Sequence, residues 1–240
     1  AARRNQLGQL PAMIVSIHQP AYLPWLGYFD KIARSDTHVF LDNVQFEKRG
    51  FTHRNRIKTP QGALWLTIPV HSHGHRESDM GATAMANDTD WRGKHLRSIA
   101  QNYRKAPCFA ARFPRLEQLF AETREESRLA ELCFRQLRFW LDEFGITTRI
   151  VKASQLSAGG RKSGLMLAQC RELGADTYLS GTLGRNYLQE DSFLAEGMNV
   201  HYQDYAHPAY HQLHGGFLPA MSIVDYWFNC SDTGLFGGNK

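Results

Sequence analysis

The chain has 240 residues, of which 42% are hydrophobic and 21% are charged. This length fits one large domain or two small ones, and the composition excludes a disordered chain because it supplies enough apolar side chains for a core. The formal net charge of +5 favours anionic partners such as nucleotides, nucleotide-sugars or nucleic acid, although an ordinary solvated surface would give the same balance.

The sequence contains neither a cysteine framework nor an obvious membrane segment. Its four cysteines are widely spaced without a CxxC pair, which argues against a zinc knuckle and against structural disulfides. No stretch approaches the ~20 apolar residues that span a bilayer, and no export signal is recognisable. We therefore expect a cytoplasmic protein with reduced thiols. Residues 1–12 precede the first strand and are interpreted as an upstream extension or a cloning scar.

Short apolar runs alternate with helically spaced segments in both halves of the chain, a pattern typical of a parallel sheet. We predict one domain over residues 13–240, with an α/β fold and a mostly parallel, three-layer sheet built from two βαβ units. The predicted strands of these units cover residues 13–18, 38–41, 148–152 and 177–180, and the predicted helices between them cover residues 28–33 and 161–173.

A hairpin and a helical insert are predicted between these units. The basic stretch KRGFTHRNRIK and the apolar run after it flank the turn Thr59-Pro60-Gln61-Gly62. The insert covers about residues 71–144, beginning with a loop or lid over 71–90. Its helices are predicted over residues 91–103, 114–122 and 127–144, and the tail adds a strand from residue 199 and a helix over 222–228.

The segment HQPAYLPWLGYFDK follows the first strand, where open α/β sheets place their ligand crevice. His18 is a candidate acid, base or phosphate donor, and Gln19 is a candidate orienting amide. Tyr22 and Trp25 are candidate walls for a sugar or a base. Alternatively, the prolines only shape a turn and the rings pack. A strand, a His-containing loop and a helix also resemble ATP-binding nucleotidylyltransferases, although those usually carry a second histidine in the loop.

The basic stretch mixes an acid, amides and cations after the second predicted strand. Arginine binds phosphate or carboxylate through two donors and lysine adds a mobile charge, so an anion clamp is predicted. A solvated basic hairpin remains the alternative, and Phe46 and Phe51 alone are weak support for stacking of single-stranded nucleic acid. Asp42 is a candidate catalytic acid, and the substrate-binding candidates are Gln45, Lys48, Arg49, Asn55 and Arg56.

Two further loops are rich in polar and aromatic residues. Ser180, Gly181 and Tyr187 follow a predicted strand without matching a dinucleotide or P-loop motif, and we interpret them as part of a crevice loop. The tail QDYAHPAYHQLHGGF supplies another candidate acid or base, His207, and the candidate contacts Tyr205 and Tyr210. Asp225 and Asn229 are instead expected to hold secondary structure through buried hydrogen bonds.

The segment HSHGHRESD places His71, His73 and His75 near Asp79. On an extended strand the three imidazoles would share one face, but neighbouring Cβ atoms would lie about 7 Å apart. Without a carboxylate at fixed spacing we favour a flexible loop and predict no metal site.

Four long segments, HQPAYLPWLGYFDKI, DNVQFEKRGFTHRNRIK, YLSGTLGRNYL and QDYAHPAYHQLHGGFLPAMSIVDYWFN, resemble the WbqC-like family of bacterial proteins. The resemblance covers most of residues 13–229. It implies a role in the biosynthesis of O-antigen or other surface polysaccharides, with transfer of a small acyl or aminoacyl group, such as glycyl, to an amino sugar or another amine. It supplies no catalytic residues.

The first functional hypothesis is therefore an amide-forming transferase acting on a nucleotide-linked amino sugar, with His18 or His207 removing the amine proton. The sequence leaves the donor open among acyl-CoA, aminoacyl-tRNA and an adenylate made from ATP. One alternative is a non-catalytic protein that binds a nucleotide or nucleotide-sugar, and another is an ATP-dependent adenylate-forming enzyme. RNA binding, with tRNA as a candidate partner, is a further alternative.

Overall fold

The computed structural model describes residues 12–47, 50–71 and 79–237. Within these ranges, no helix is long and apolar enough to cross a membrane. The strands are β1 (Ile14–His18), β2 (Thr37–Phe40), β3 (Arg54–Thr59), β4 (Gly62–Thr67), β5 (Arg149–Lys152), β6 (Thr177–Ser180) and β7 (Asn199–Tyr202). The α-helices are α1 (Leu26–Ala33), α2 (Trp91–Tyr103), α3 (Phe109–Glu122), α4 (Leu129–Glu143), α5 (Lys162–Glu172), α6 (Glu190–Ala195) and α7 (Ile223–Asn229), and two 3₁₀-helices cover Ala153–Gln155 and Thr182–Asn186.

The predicted strands and helices are confirmed, but one helix start was wrong and one helix was missed. Helix α3 begins at Phe109 instead of Pro114, so that Pro114 lies inside the helix. Stacking of Phe109 on Phe113, with 4.6 Å between ring centroids, adds packing to the first turns and helps to offset the hydrogen bond that the proline cannot donate. Helix α6 is only six residues long, too short to give a periodic signal.

Five strands form one parallel sheet in the order β5-β2-β1-β6-β7. This confirms the α/β fold and the parallel sheet. Counted along the chain, the sheet strands lie in the order third, second, first, fourth, fifth, which is the arrangement of doubly wound nucleotide-binding folds. The β3–β4 hairpin is a separate antiparallel sheet.

The chain divides into two compact units, each assembled from several segments. The sheet unit contains residues 12–18, 31–41 and 148–205, and therefore the five-stranded sheet. The helical unit contains residues 19–30, 42–147 and 206–237, and therefore the hairpin and helices α2, α3, α4 and α7. This division does not test the predicted single domain, which stays a prediction.

The core of the sheet unit consists of apolar strand residues that are buried as parallel strands require. Val15 and Ile17 of β1 and Val39 of β2 are at most 4% exposed. Tyr178 of β6 stacks on Phe193 of α6, with 5.6 Å between the ring centroids. The short helix α6 is thus held by a core ring and not by its own length.

The core of the helical unit forms where α4 meets the C-terminal helix α7. Trp140 and Trp227 are fully buried and perpendicular, with ring centroids 5.1 Å apart. Helix α4 ends as the sequence predicts, because Gly145 has a φ of +62° that glycine adopts without strain. The apolar stripe predicted for α4 is buried throughout and comprises Leu129, Leu132, Cys133, Leu137, Trp140 and Leu141.

Candidate functional site

The carboxyl edge of the sheet unit has the geometry of a ligand crevice. All strands are parallel, so His18 at the end of β1 and Ser180 at the end of β6 lie at the same edge of the sheet. Strands β1 and β6 are neighbours in the sheet. Strand β2 lies on the other side of β1, and strand β7 lies on the other side of β6. The strand order therefore reverses between β1 and β6, and the carboxyl ends of the strands at such a point are where open α/β sheets bind ligands.

Lys31 brings a buried amine to this edge. Its side chain leaves the end of α1, is 3% exposed, and donates from Nζ to the carbonyl oxygen of Ile17 at 3.0 Å. Among the residues that the structure describes, Lys31 has no carboxylate partner. Burial without a counter-charge lowers the pKa of Lys31 to about 7. A substantial fraction of this amine is therefore neutral and able to accept a proton at physiological pH.

A buried polar cluster lies behind Lys31 within the sheet unit. The Nδ1 atom of His38 and the hydroxyl of Ser35 each lie 2.8 Å from the hydroxyl of Ser16. Burial lowers the pKa of His38 well below its usual value, and the positive charges of Lys31 and His18 lower it further. His38 is therefore a neutral hydrogen-bonding group at pH 7.

The loop after β6 is tightly built around Ser180. The Ser180 hydroxyl donates to the carbonyl of Gly181 at 3.1 Å. A Cβ at Gly184 would lie 2.1 Å from the Ser180 hydroxyl oxygen, so this position has no room for a larger residue unless Ser180 moves. A Cβ at Gly181 would lie 3.9 Å from Nζ of Lys31. Because Gly181 has no side chain, only its backbone atoms lie next to the buried amine. Tyr187 is 44% exposed and hydrogen bonds to Tyr178.

In the helical unit, the loop before α1 is fixed from within. Tyr22 is fully buried, and its hydroxyl lies 2.8 Å from Nδ1 of His95. The amide of Asn55 donates to the carbonyls of Tyr22 and Leu23 at 3.3 and 2.7 Å. These bonds hold Leu23 at a φ of +41°, which is unfavourable for a residue with a side chain. Tyr22 and Asn55 therefore support the loop, and their predicted contact with substrate stays a prediction.

Asp225 of α7 is the centre of a buried polar network in the helical unit. Its two carboxylate oxygens accept hydrogen bonds from the hydroxyls of Tyr103 and Tyr210, at 2.7 and 2.8 Å, and from the amide of Gln212 at 2.7 Å. Burial raises the pKa of Asp225, while these donors and the charge of Lys58 oppose the rise. Asn229 donates to the carbonyl of Asp225 at 2.8 Å, so the predicted buried hydrogen bonds of both residues are confirmed.

The network also shapes a cavity in the tail. Nζ of Lys58 binds the carbonyl oxygens of Gly215 and Gly216, and residues 210–217 line a cavity of about 440 Å³. His207 packs against the rings of Tyr210 and Phe217, and its Nδ1 donates to the carbonyl of Pro208 at 2.9 Å. The tail is therefore an ordered element of the helical unit.

The predicted site residues fall into both units, so their convergence in one site stays a prediction. Asp42 is buried at 7% exposure, and Gln45 is exposed and forms a backbone bridge with Asp79. Lys48 and Arg49 lie outside the described residues. The sheet unit holds His18, Ser180, Gly181, Tyr187 and Tyr205, and the helical unit holds Gln19, Tyr22, Trp25, Asp42, Gln45, Asn55, Arg56, His207 and Tyr210.

The histidine-rich loop is described only at its ends. His71 and Asp79 lie within the described ranges, whereas His73 and His75 do not. Across the described part of the chain, no group of three or more His, Cys, Asp and Glu side chains could hold a metal ion. The prediction for the loop itself is therefore not tested.

Sequence reasoning missed Lys31 and Trp65 as candidate functional residues. Lys31 is a cation in the helix sequence LGYFDKIA, directly after Asp30 and before Ile32. Trp65 lies directly across the hairpin from Arg56, a register that the predicted two-residue turn already implies. Both residues become candidates only when the residues that lie next to them in space are known.

Comparison with known proteins identifies the family of this chain and a relative of similar length. Residues 19–235 match the model of the WbqC-like protein family. A Mycobacterium tuberculosis protein, "Uncharacterized protein Rv1507c", is 36% identical over 216 residues, which are 90% of this chain and 93% of that protein. No solved structure matches the chain significantly.

Proposed function

The chain belongs to the WbqC-like protein family, and we propose that it is an acyl- or aminoacyl-transferase that forms an amide on a nucleotide-linked amino sugar. We place this activity in the cytoplasmic biosynthesis of surface polysaccharides. The observation that carries the proposal is Lys31, a buried amine with a pKa of about 7 at the point where the strand order of the parallel sheet reverses. Such a position suits a proton acceptor beside an anionic substrate.

Amide formation explains why a neutral lysine is useful here. The amine nitrogen of the acceptor attacks the carbonyl carbon of the donor, the new C–N bond forms, and the bond from that carbon to the donor's leaving sulfur or oxygen breaks. The attacking amine must lose a proton, and neutral Lys31 or His18 can take it. Ser180 ends β6, Gly181 and Tyr187 follow it at the same edge, and the three supply polar contacts for the phosphate or sugar.

The decisive test is an amide-formation assay on purified protein, read by mass spectrometry. UDP- and dTDP-linked amino sugars are supplied with acyl-CoA, with ATP and a carboxylic acid, or with glycyl-tRNA. We expect one donor to give an acceptor heavier by the acyl group. Lys31→Met and His18→Gln separate the two bases, because loss of the acting base lowers kcat far more than it raises KM.

The pH profile of kcat identifies the base further. With Lys31 as base, the rate falls as the pH drops through about 7, where the amine becomes protonated. Lys94→Met, which removes an exposed lysine on α2, is the matched control and should leave kcat unchanged. Failure of every donor, together with a rise in Tm on addition of the nucleotide-linked amino sugar, would replace the transferase by a non-catalytic binding protein.

A further inference from the structure

One face of the β3–β4 hairpin combines an exposed indole with two guanidinium groups. The antiparallel register pairs Arg56 with Trp65 and Arg54 with Thr67, so the side chains of these residues lie on one face. The guanidinium carbons of Arg54 and Arg56 lie 4.4 and 5.5 Å from the centroid of the Trp65 ring. Trp65 nevertheless remains 41% exposed. The two cations thus orient this indole at the surface.

Two further rings extend this surface within the helical unit. Phe51 is 38% exposed, and its ring centroid lies 5.8 Å from Trp65 and 5.4 Å from Trp25. Three neighbouring rings offer contacts to more than one base. We refer to Trp25, Phe51, Arg54, Arg56 and Trp65 as the hairpin platform.

The charge of the hairpin platform indicates an anionic partner. In the described parts of the chain, the Arg56 side chain forms neither an ion pair nor a hydrogen bond, and since its Nε atom is buried, the donors left for a surface ligand are those of its two terminal nitrogens. Its guanidinium group therefore keeps donors for a ligand, and a phosphate oxygen suits their planar arrangement. The net charge of +5 adds long-range attraction of the same sign.

We propose that the hairpin platform binds single-stranded RNA, with bases stacked on Trp65 and Phe51 and phosphates bound by Arg54 and Arg56. RNA recognition commonly uses unpaired bases that stack on aromatic and guanidinium groups. An acidic peptide would use the arginines but not the rings, and a single nucleotide would need only one ring. Two copies of the chain facing each other here would oppose like charges. The inference does not depend on the transferase activity.

The test is fluorescence anisotropy of a labelled single-stranded RNA hexamer of mixed sequence, titrated with the full chain. Trp65→Leu should weaken binding at least about fivefold, the loss expected for one stacked base, whereas Trp65→Phe should stay within about twofold of the parent. Arg56→Gln should weaken binding and make the slope of log K against log salt shallower by about 0.7. Arg138→Gln, at an exposed position on α4, removes one charge elsewhere and should leave the affinity within about twofold of the parent.

Several outcomes would overturn the proposal. Equal binding by the parent and Trp65→Leu would exclude stacking on this indole, and tighter binding of a duplex or of DNA of the same sequence would exclude single-stranded RNA. Competition by AMP as strong as that by the unlabelled hexamer would make the surface a site for a free nucleotide. Circular dichroism melts of each variant check that the fold is intact, and the affinity and salt slope of Arg56→Gln test the proposal even if Trp65→Leu unfolds.

Discussion

Lys31 makes the free energy of unfolding depend on pH, in the direction opposite to that of a surface lysine that forms an ion pair. Its pKa is about 7 in the folded protein and near its ordinary value of 10.5 in the unfolded chain. Between these values the unfolded chain binds more protons, so the free energy of unfolding rises with pH. At and below pH 7 the full cost of burying Lys31 is present.

Lys31→Met should therefore stabilise the protein at pH 7, on the order of 3 kcal/mol after the lost hydrogen bond to Ile17 is allowed for. The gain should shrink steadily as the pH rises from 7 to 10, and it should disappear only above the unfolded pKa of 10.5, where both states of the parent hold a neutral amine. Urea unfolding at pH 7, 8, 9 and 10 measures this difference, with the exposed Lys94→Met as control. A gain that is independent of pH would show that Lys31 is charged in the folded protein.

Asp225 gives a second prediction for a single residue. Its carboxylate accepts from three donors, so Asp225→Asn would replace one acceptor oxygen by an N–H₂ group that cannot accept a hydrogen bond from the partner on that side. We expect a loss of about 1–3 kcal/mol in the free energy of unfolding and faster hydrogen exchange in residues 210–217. Asp142→Asn, on the exposed side of α4, should change neither. Unchanged exchange in the tail would show that the loop is ordered without the network.

At the level of elements, the sequence predicted type and order well because each strand and helix carries its own local pattern. The hairpin shows how far this extends. The turn at Pro60 and Gln61 predicted two antiparallel strands, and their pairing follows from the turn length. That Arg54 and Arg56 stack against Trp65 does not follow from the basic stretch alone, because the contact also depends on the residues of the partner strand. Local sequence patterns thus predict that a strand forms. Which side chains share one of its faces can be predicted only when the partner strand and the register are known.

Helix α3 contains a proline where the intrahelical hydrogen bonds have already begun. Pro114 is exposed, cannot donate to the carbonyl of Ala110, and crowds that carbonyl with its ring. Pro114→Ala should restore the hydrogen bond and raise the free energy of unfolding by about 1–2 kcal/mol, since the greater freedom of the unfolded chain offsets part of the gain. Thermal and urea unfolding measure this change. Pro60→Ala in the hairpin turn is the control and should be neutral or slightly destabilising, because proline fits a turn.

For the whole molecule, the sequence predicted the α/β fold but not the division into two interleaved units. Each unit is assembled from segments that are distant along the chain, and no composition change or linker marks the crossings. The residues of the candidate site are likewise only partly predictable from the sequence. His18 was predicted from its place after β1, whereas Lys31 becomes a candidate only once its Nζ atom is seen buried at the carbonyl of Ile17. Burial of a charge depends on the fold, and a motif does not reveal it.

The interleaving predicts that the helical unit cannot fold without the C-terminal segment. Helix α7 supplies Trp227, Asp225 and Phe228, which are fully buried and contact α2, α3 and α4. Truncation of one such aromatic side chain costs about 3–5 kcal/mol, and small domains have only about 5–15 kcal/mol of stability in all. A chain that ends at Met221 should therefore lose its cooperative unfolding transition and much of its helical circular dichroism, whereas a chain that ends at Gly237 should keep both. Retention of a cooperative transition by the shorter chain would mean that α2, α3 and α4 form a stable core without α7, and that the tail only covers it.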